Sequence, residues 1–468
     1  MRKTFLISFV LMTAFGFFSL LFFLIHSPEL GRLSKLSDVI RGDSGEIINL
    51  RLTSSGHWRE PADLNRIDPL LIEMLVAYED KRFWHHHGVD PYAIIRAFFS
   101  VAKSGKVHSG ASTLTMQTVK LMYPDLRSRT IRNKLKQVLF ALQLDAHWSK
   151  KEILEAYFTL APFGGNIEGV EAATQAWFQK EPKELTHTEA ALLVALPQSP
   201  ERRRPDLFPL AAFQAKTKVL ETISTRINLD LHKLEELKKE PLPVRLSRPK
   251  SIALHVEDRL IQNPNSVIET SINASWQRDL ISILSTSVQK YEKPINVAGL
   301  VVERRTGLVK AYAGSSSYID NDRKGSVNYL TALRSPGSTL KPLIYAKALE
   351  RKLIEEGHIF KDSQIQRGGY TPSNFDKIFN GQVTLKEALT RSLNIPAIQT
   401  LELIGVNGFE NSLRTFIAQD IMQNYEAGLT AAVGGFYLSA ENLAEIYLEI
   451  ADPGHSSKIR FDAEEPEL

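Results

Sequence analysis

A run of 22 residues without a charge, "TFLISFVLMTAFGFFSLLFFLI" at positions 4–25, constrains this chain more than any other feature. As a helix rising ~1.5 Å per residue it would cover ~33 Å, enough to cross a bilayer. Arg2 and Lys3 precede it, so the short tail should stay inside and the rest should be exported. The run is longer than a usual signal-peptide core, and "HSPEL" after it offers no small-x-small cleavage site. An uncleaved single-pass anchor over residues 1–27 is therefore expected.

The remainder is too long for one core. A chain of 468 residues predicts two soluble domains of roughly 150–250 residues. Apolar content of 43% and charged content of 24% are ordinary globular values. The net charge of +4 is small, and no zinc-finger or RNP-like pattern occurs, so no nucleic-acid partner is expected. The absence of cysteine excludes disulfides, thiolate metal sites and cysteine nucleophiles. Residues 28–60 read as an extended linker, with turn signals at Gly42-Asp43 and Ser44-Gly45. Residues 61–210 carry apolar residues at three- and four-residue spacing and read as a mostly α domain. Ser149 with Glu152, and Thr186 with Glu189, are capping-box helix starts. Residues 211–255 form a connector around the charged helix "LHKLEELKKE". Residues 256–468 are mixed, with a hairpin turning at Thr306-Gly307 and helices from Thr339.

Several short stretches carry chemistry. "EDKRFWHHHG", residues 79–88, holds three consecutive histidines. Neighbouring side chains point in different directions on any regular backbone, and no HExxH pair accompanies them, so no metal centre is expected there. A histidine bonding the turn before Gly88 is the simpler reading. Glu79 closes the apolar stretch "LLIEMLVAY", where desolvation would suit a carboxylate to proton transfer. A solvated acid at a helix end reads equally well. "DLRSRTIRNKLK", residues 125–136, gathers Arg127, Arg129, Arg132, Lys134 and Lys136 near Lys120. This is either a solvated basic face, one drawn to anionic lipid, or a cation cluster for a leaving anion. Further on, Ser338-x-x-Lys341 in "RSPGSTLKP" puts a hydroxyl and an amine on one face of a helix start. A desolvated lysine there can activate the serine. Ser392-x-Asn394 in "LTRSLNIPA" is the second element of the serine acyl-transferase set.

Four blocks in order resemble the peptidoglycan glycosyltransferase domain of class A penicillin-binding proteins, glycosyltransferase family 51, over about residues 70–206. They are EDxxFxxHxG (Glu79, Asp80, Phe83, His86, Gly88), "GASTLTMQTVK", "SKKEILEAYFTLAPFGG" and "EAALLVALPQSPERRRPD". "TMQ", "APFGG" and "GHWREP" look like the 1C branch of that family. The Ser338/Lys341 and Ser392/Asn394 elements with "YTPSNFD" resemble the family's transpeptidase over about residues 256–450.

The resemblance implies a multidomain fold. An N-terminal transmembrane helix would precede a mostly α, lysozyme-like glycosyltransferase domain and an α/β transpeptidase-like domain. It places the chain in the bacterial inner membrane, single-pass, with catalytic domains in the periplasm. Its activity would be polymerisation of lipid II into glycan strands with release of undecaprenyl pyrophosphate. Glu79 would be the general base, and Lys120, Arg129, Arg132 and Lys134 would face the diphosphate. Asp80, Phe83, His86, Gly88, Ser112, Thr113, Gln117 and Gln137 would build the substrate site. Ser338, Lys341, Ser392 and Asn394 would be catalytic in the second domain, with β-lactams binding at Ser338. The family allows a divalent cation, Mg or Mn, in the glycosyltransferase step. Other cell-wall synthases are implied as partners.

Three departures stand out. Gln137 takes the place of a second family glutamate, and Thr159 that of an asparagine. No Lys-Thr-Gly follows Asn394, so the transpeptidase half reads as lacking its C-terminal part. These departures keep a second reading open, a non-catalytic membrane-anchored scaffold that binds lipid II or cell-wall synthases.

Overall fold

The structure is a computed structural model. It describes residues 23, 25–96, 112–128, 130–226, 229–243, 245–367, 369–414, 416, 427–452 and 458–462. The chain divides into two compact units. One comprises Met1–Val39, Leu50–Lys250 and Ile261–Val267, the other Ile40–Asn49, Ser251–Leu260 and Ile268–Leu468. Strands β1 (Asp38–Arg41) and β2 (Ile47–Arg51) form in the stretch expected to be extended.

The first unit is built on helices whose starts are written locally. Asp68 caps α1 (Pro69–Glu79) by accepting the Leu70 N–H at 2.9 Å, with Pro69 preset for the first turn. Thr113 caps α2 (Leu114–Met122), and Thr130 caps α3 (Ile131–His147). α4 (Lys150–Leu160) opens on the Ser149/Glu152 capping box. A short parallel pair, β3 (Trp58–Arg59) with β4 (Ile167–Glu168), leads into α5 (Val170–Phe178). α6 (His187–Ala195) opens on the Thr186/Glu189 capping box. It runs through the core, and residues 190–196 expose almost nothing. α1 and α7 (Pro209–Ile223) pack on α6, while α3 and α4 pack on α2. The connector helix α8 (Leu231–Lys239) is fastened by the buried Lys216. Its Nζ donates to the carbonyls of Leu237, Lys238 and Glu240 at 3.0–3.2 Å, satisfying the open end of α8. The buried Glu168 carboxylate joins Arg59 to Arg32, whose Nη2 lies at 2.6 Å.

The second unit contains α9 (Leu254–Leu260), strand β5 (Val267–Glu269) and α10 (Ala274–Val288). The expected hairpin is present as β6 (Gly299–Val302) and β7 (Val309–Ala313), antiparallel with a bulge at Val301/Val302. Gln277 of α10 closes the other edge of β7: its amide accepts the Tyr312 N–H and donates to the Tyr312 carbonyl, at 2.8 and 2.9 Å. A second core follows. α11 (Lys341–Glu350), hairpin β8 (Ile359–Asp362) and β9 (Gly381–Thr384), α12 (Leu385–Thr390), α13 (Asn394–Ile404), α14 (Val406–Leu413) and α15 (Ala440–Ala451) surround Ile344, Phe360, Ile398, Leu401 and Phe409.

The transmembrane helix expected over residues 4–25 falls, apart from residues 23 and 25, outside the described residues. Among the described residues no helix is long and apolar enough to cross a membrane. The longest, α3, has 17 residues and would span only ~26 Å against a hydrocarbon core of ~30 Å, and it carries Arg132, Lys134 and Lys136. The expected fold class is corrected to a multidomain architecture with no membrane-spanning helix found among the described residues, and the single-pass inner-membrane placement is not supported there.

Gly88 is a point where the fold tolerates no side chain. Its φ is +73°, and a Cβ there would lie 2.3 Å from the Ala141 carbonyl oxygen of α3. Gly88→Ala combines left-handed strain with a backbone collision and should cost roughly 2–5 kcal/mol. Gly56, at φ +77° with nothing within 4 Å, isolates the strain alone, roughly 1 kcal/mol. Calorimetry should show Gly88→Ala lowering the melting of the first unit far more than Gly56→Ala; equal shifts would disprove the close approach.

Candidate active site

The first candidate site begins at the junction of α1 and α2. Asp80 follows the last residue of α1 and is buried. Its Oδ2 accepts the Leu114 N–H at 2.8 Å, the first amide of α2, and lies 2.9 Å from His86 Nε2. A carboxylate at a helix N-terminus meets unpaired donors and the positive end of the dipole. The Thr113 hydroxyl donates to the Gly88 carbonyl at 2.6 Å and accepts from the Met116 N–H at 3.1 Å. Asp80, His86, Gly88 and Thr113 thus form one clamp that seats α2 against the end of α1. Phe83 is fully buried beneath it, edge-on to His86. His86 therefore bonds the turn, while the His87 side chain is almost wholly exposed.

That seating delivers Gln117, one turn into α2, to Glu79. Gln117 Nε2 donates to Glu79 Oε2 at 2.9 Å. The other oxygen, Oε1, accepts from Gln198 Nε2 at 2.6 Å. Gln198 is itself engaged by Arg203, whose Nη1 donates to Gln198 Oε1 at 3.0 Å and to the Ala195 carbonyl at 2.6 Å. Two tyrosines complete the surroundings. Burial, and behind it the Glu79 charge, pushes the hydroxyls of Tyr157 and Tyr78 above the usual tyrosine range. Gln198, Arg203, Tyr78 and Tyr157 were not singled out from the sequence, although all lie in or beside the quoted blocks.

The basic residues divide. Gln117 and Lys120 are three apart on α2 and share a face. Lys134 of α3 reaches the start of the same helix, its Nζ 2.5 Å from Ser112 Oγ. Burial, then the neighbouring Lys120, lowers the Lys134 ammonium below the ordinary lysine range. Arg132, Lys134 and Lys136 are all exposed on α3, and among the described residues no hydrogen bond joins Arg132 or Lys136 to this group. Arg129 lies outside the described residues. Gln137 is buried and donates to the Leu126 carbonyl at 2.7 Å, so it supports the Pro124–Arg127 turn. Thr159 is buried too, accepting the Ala62 N–H at 3.0 Å and donating to the Glu155 carbonyl at 2.7 Å.

The residues around Glu79 do not fit a divalent cation. Mg and Mn take a shell of oxygen ligands, whereas both Glu79 oxygens face amide N–H groups.

The second candidate site lies at the start of α11. Ser338 is exposed on the Gly337–Leu340 turn, and Lys341 is buried at 1% exposure on the first turn of the helix. Lys341 Nζ donates to the Ser392 carbonyl at 2.6 Å, Asn394 Oδ1 at 2.8 Å and Ser392 Oγ at 3.2 Å. Lys341, Ser392 and Asn394 thus converge, while no hydrogen bond joins Ser338 Oγ to Lys341. Ser392 sits in the left-handed region at φ +53°, which presents its carbonyl and hydroxyl to the same amine. Asp362, which no motif marks, and Asn374 of "YTPSNFD" anchor this group. The buried Asp362 accepts from Asn374 Nδ2 at 2.9 Å and from Asn380 Nδ2 at 2.7 Å. Asn374 Oδ1 in turn accepts the Asn394 N–H at 2.8 Å, capping α13. "YTPSNFD" therefore acts through Asn374.

Burial pushes the Lys341 amine down from 10.5 to about 8. The folded state sheds this proton near pH 8, the unfolded chain near 10.5. Below 8 both are charged and the burial penalty is fully present; between 8 and 10.5 the unfolded state holds more protons and stability rises with pH. Denaturant titrations over this window should show wild type gaining roughly 3 kcal/mol relative to Lys341→Met. Parallel pH profiles would show that Lys341 ionises normally.

Residues 45–224 match the transglycosylase family, and residues 297–457 match the penicillin binding protein transpeptidase domain. The chain is 36% identical over 417 residues to penicillin-binding protein 1C of Escherichia coli K12, covering 89% of this chain and 54% of that protein. It is 28% identical over 453 residues to penicillin-binding protein 1F of Bacillus subtilis 168, covering 91% and 61%. It is 26% identical over 441 residues to penicillin-binding protein 1A of Aquifex aeolicus VF5, covering 73% and 60%. The chain spans between about half and three fifths of the length of these relatives. With the Glu79 site inside the first matched region and the Ser338/Lys341 site inside the second, the chain belongs to the class A penicillin-binding proteins and carries a transglycosylase domain together with a transpeptidase domain.

Proposed function

We propose that the first unit polymerises lipid II into glycan strands and releases undecaprenyl pyrophosphate, with Glu79 as the general base. The observation that carries this reading is the placing of Glu79 against Gln117, with Lys120 on the same face of α2 and Lys134 at its start. Glu79 takes the proton from the acceptor sugar's 4-hydroxyl as that oxygen attacks C1 of the lipid-linked donor. The bond from C1 to the diphosphate oxygen breaks, and the leaving group departs with the bonding pair. Lys120 and Lys134 offset the charge developing there. Burial and the neighbouring Lys120 both disfavour the Lys134 ammonium, and a diphosphate bound beside the two lysines would offset their repulsion.

The second unit is read as a serine acyl-transferase centred on Ser338, where β-lactams would bind. An amine at about 8 can be neutral in part near neutral pH and accept the serine proton. The missing Ser338–Lys341 bond does not exclude this role, because such contacts are often loose before substrate arrives.

Gln137 favours the alternative of a lipid II-binding scaffold, since it supports a turn and cannot hold a proton. Labelled lipid II separates the two. Wild type should build glycan chains, and Glu79→Gln should lose about 10²–10⁴-fold in rate. Binding of lipid II by wild type without chain growth would favour the scaffold, and glycan synthesis by Glu79→Gln at the wild-type rate would remove Glu79 from the base's role.

A further inference from the structure

The two amides that hold Glu79 are themselves held in different ways. Gln117 rides on α2, which Asp80 and Thr113 fix at its first turn. Gln198 ends a short 3-10 turn, Leu196–Gln198, and is exposed. An exposed amide can normally turn over, exchanging its oxygen for its nitrogen. Turned over, Gln198 would set a carbonyl oxygen against the Glu79 carboxylate, two acceptors with no proton between them.

Arg203, with the Tyr78 hydroxyl bonded to the same side chain, opposes that. Its Nη1 donates to Gln198 Oε1 at 3.0 Å and to the Ala195 carbonyl at 2.6 Å, so the guanidinium is tied to the last turn of α6. A guanidinium only donates, so it selects the amide orientation whose oxygen faces it and whose NH₂ faces Glu79. With Gln117 on Oε2 and Gln198 on Oε1, the carboxylate plane is set from both sides. Each oxygen keeps a second lone pair, so a sugar hydroxyl can meet the base without displacing either amide.

We propose that Arg203 and Gln198 are a positioning pair for glycosyl transfer: Arg203 fixes the orientation of the Gln198 amide, and Gln198 fixes the Glu79 carboxylate toward the acceptor hydroxyl. This rests on Glu79 being the base. Neither residue touches the reacting atoms. Their effect is on geometry, and a base released from one of two anchors loses rate through misorientation.

The test uses the full chain and initial rates on labelled lipid II for wild type, Glu79→Gln, Gln198→Ala, Arg203→Ala, the double variant Gln198→Ala/Arg203→Ala, and Gln198→Glu. Each single alanine variant should lower kcat about tenfold with KM within about twofold. The double variant should fall no further than the singles, because both remove the same constraint. Gln198→Glu has the same size and can still bond Arg203, but it turns a donor toward Glu79 into a like-charged acceptor. It should fall at least as far as Gln198→Ala, whereas a residue that only fills space would leave it near wild type. The pair is overturned by Gln198→Ala at the wild-type rate, by Gln198→Glu at the wild-type rate, or by a double variant down about a hundredfold, while wild type is active and Glu79→Gln is not. An active Glu79→Gln, or a wild type that makes no glycan, overturns the base assignment and the pair with it.

Discussion

The Asp80 carboxylate at the mouth of α2 is the contact on which the first site depends. It occupies the one place on that helix where an unpaired N–H and the dipole both favour negative charge. His86 steadies it from the other side. Everything useful on α2 follows in register: Thr113 at the cap, Gln117 one turn on and Lys120 a turn beyond that. A rotation of α2 by one residue, about 100°, would carry Gln117 away from Glu79 and Lys120 away from the start of α3. The neighbouring acids of "ED" therefore divide their work. One builds the frame and the other is presented by it.

The second unit uses the same economy of means with the polarity reversed. There Asp362 holds Asn374, Asn374 caps α13, and the first residue of α13 is Asn394, a partner of Lys341. A buried carboxylate again sets where a helix begins, and the helix start again sets an amide against an ionisable group. Asp362 and Lys341 do not touch. Their link is positional, through one side chain and one helix end.

How much of this could be read from the sequence depends on how far apart the partners lie. The capping boxes of α4 and α6 were legible because a cap and its N3 partner are three residues apart. The hairpin at Thr306-Gly307 and the end of α1 at Glu79 were legible for the same reason. Motif order brought Glu79 and Gln117 into view, 38 residues apart, through resemblance and not through any local pattern. Gln198 reaches Glu79 across 119 residues, and nothing in "PQSPERRRPD" marks which of its polar groups turns inward. Asp362 was passed over because an acid inside a short strand looks like surface until the asparagines that bury it are known. Gln137, in the place of a family glutamate, is a buried amide that donates to the Leu126 carbonyl and accepts from Lys134 Nζ at 3.5 Å, contacts no local pattern announces.

The two ionisable groups share one further circumstance. Glu79 lies at the C-terminal end of α1 and Lys341 at the N-terminal start of α11. At Lys341 the helix dipole opposes the ammonium. Neither is recorded in an ion pair with an opposite charge among the described residues; both are surrounded by amides, carbonyls and hydroxyls. An opposite charge would fix protonation as well as place, since at ~4 Å it is worth several kcal/mol even under partial screening. Neutral dipoles hold the atoms in place without adding a counter-charge. Around Glu79 and Lys341 the immediate partners are side-chain amides, a hydroxyl and a backbone carbonyl.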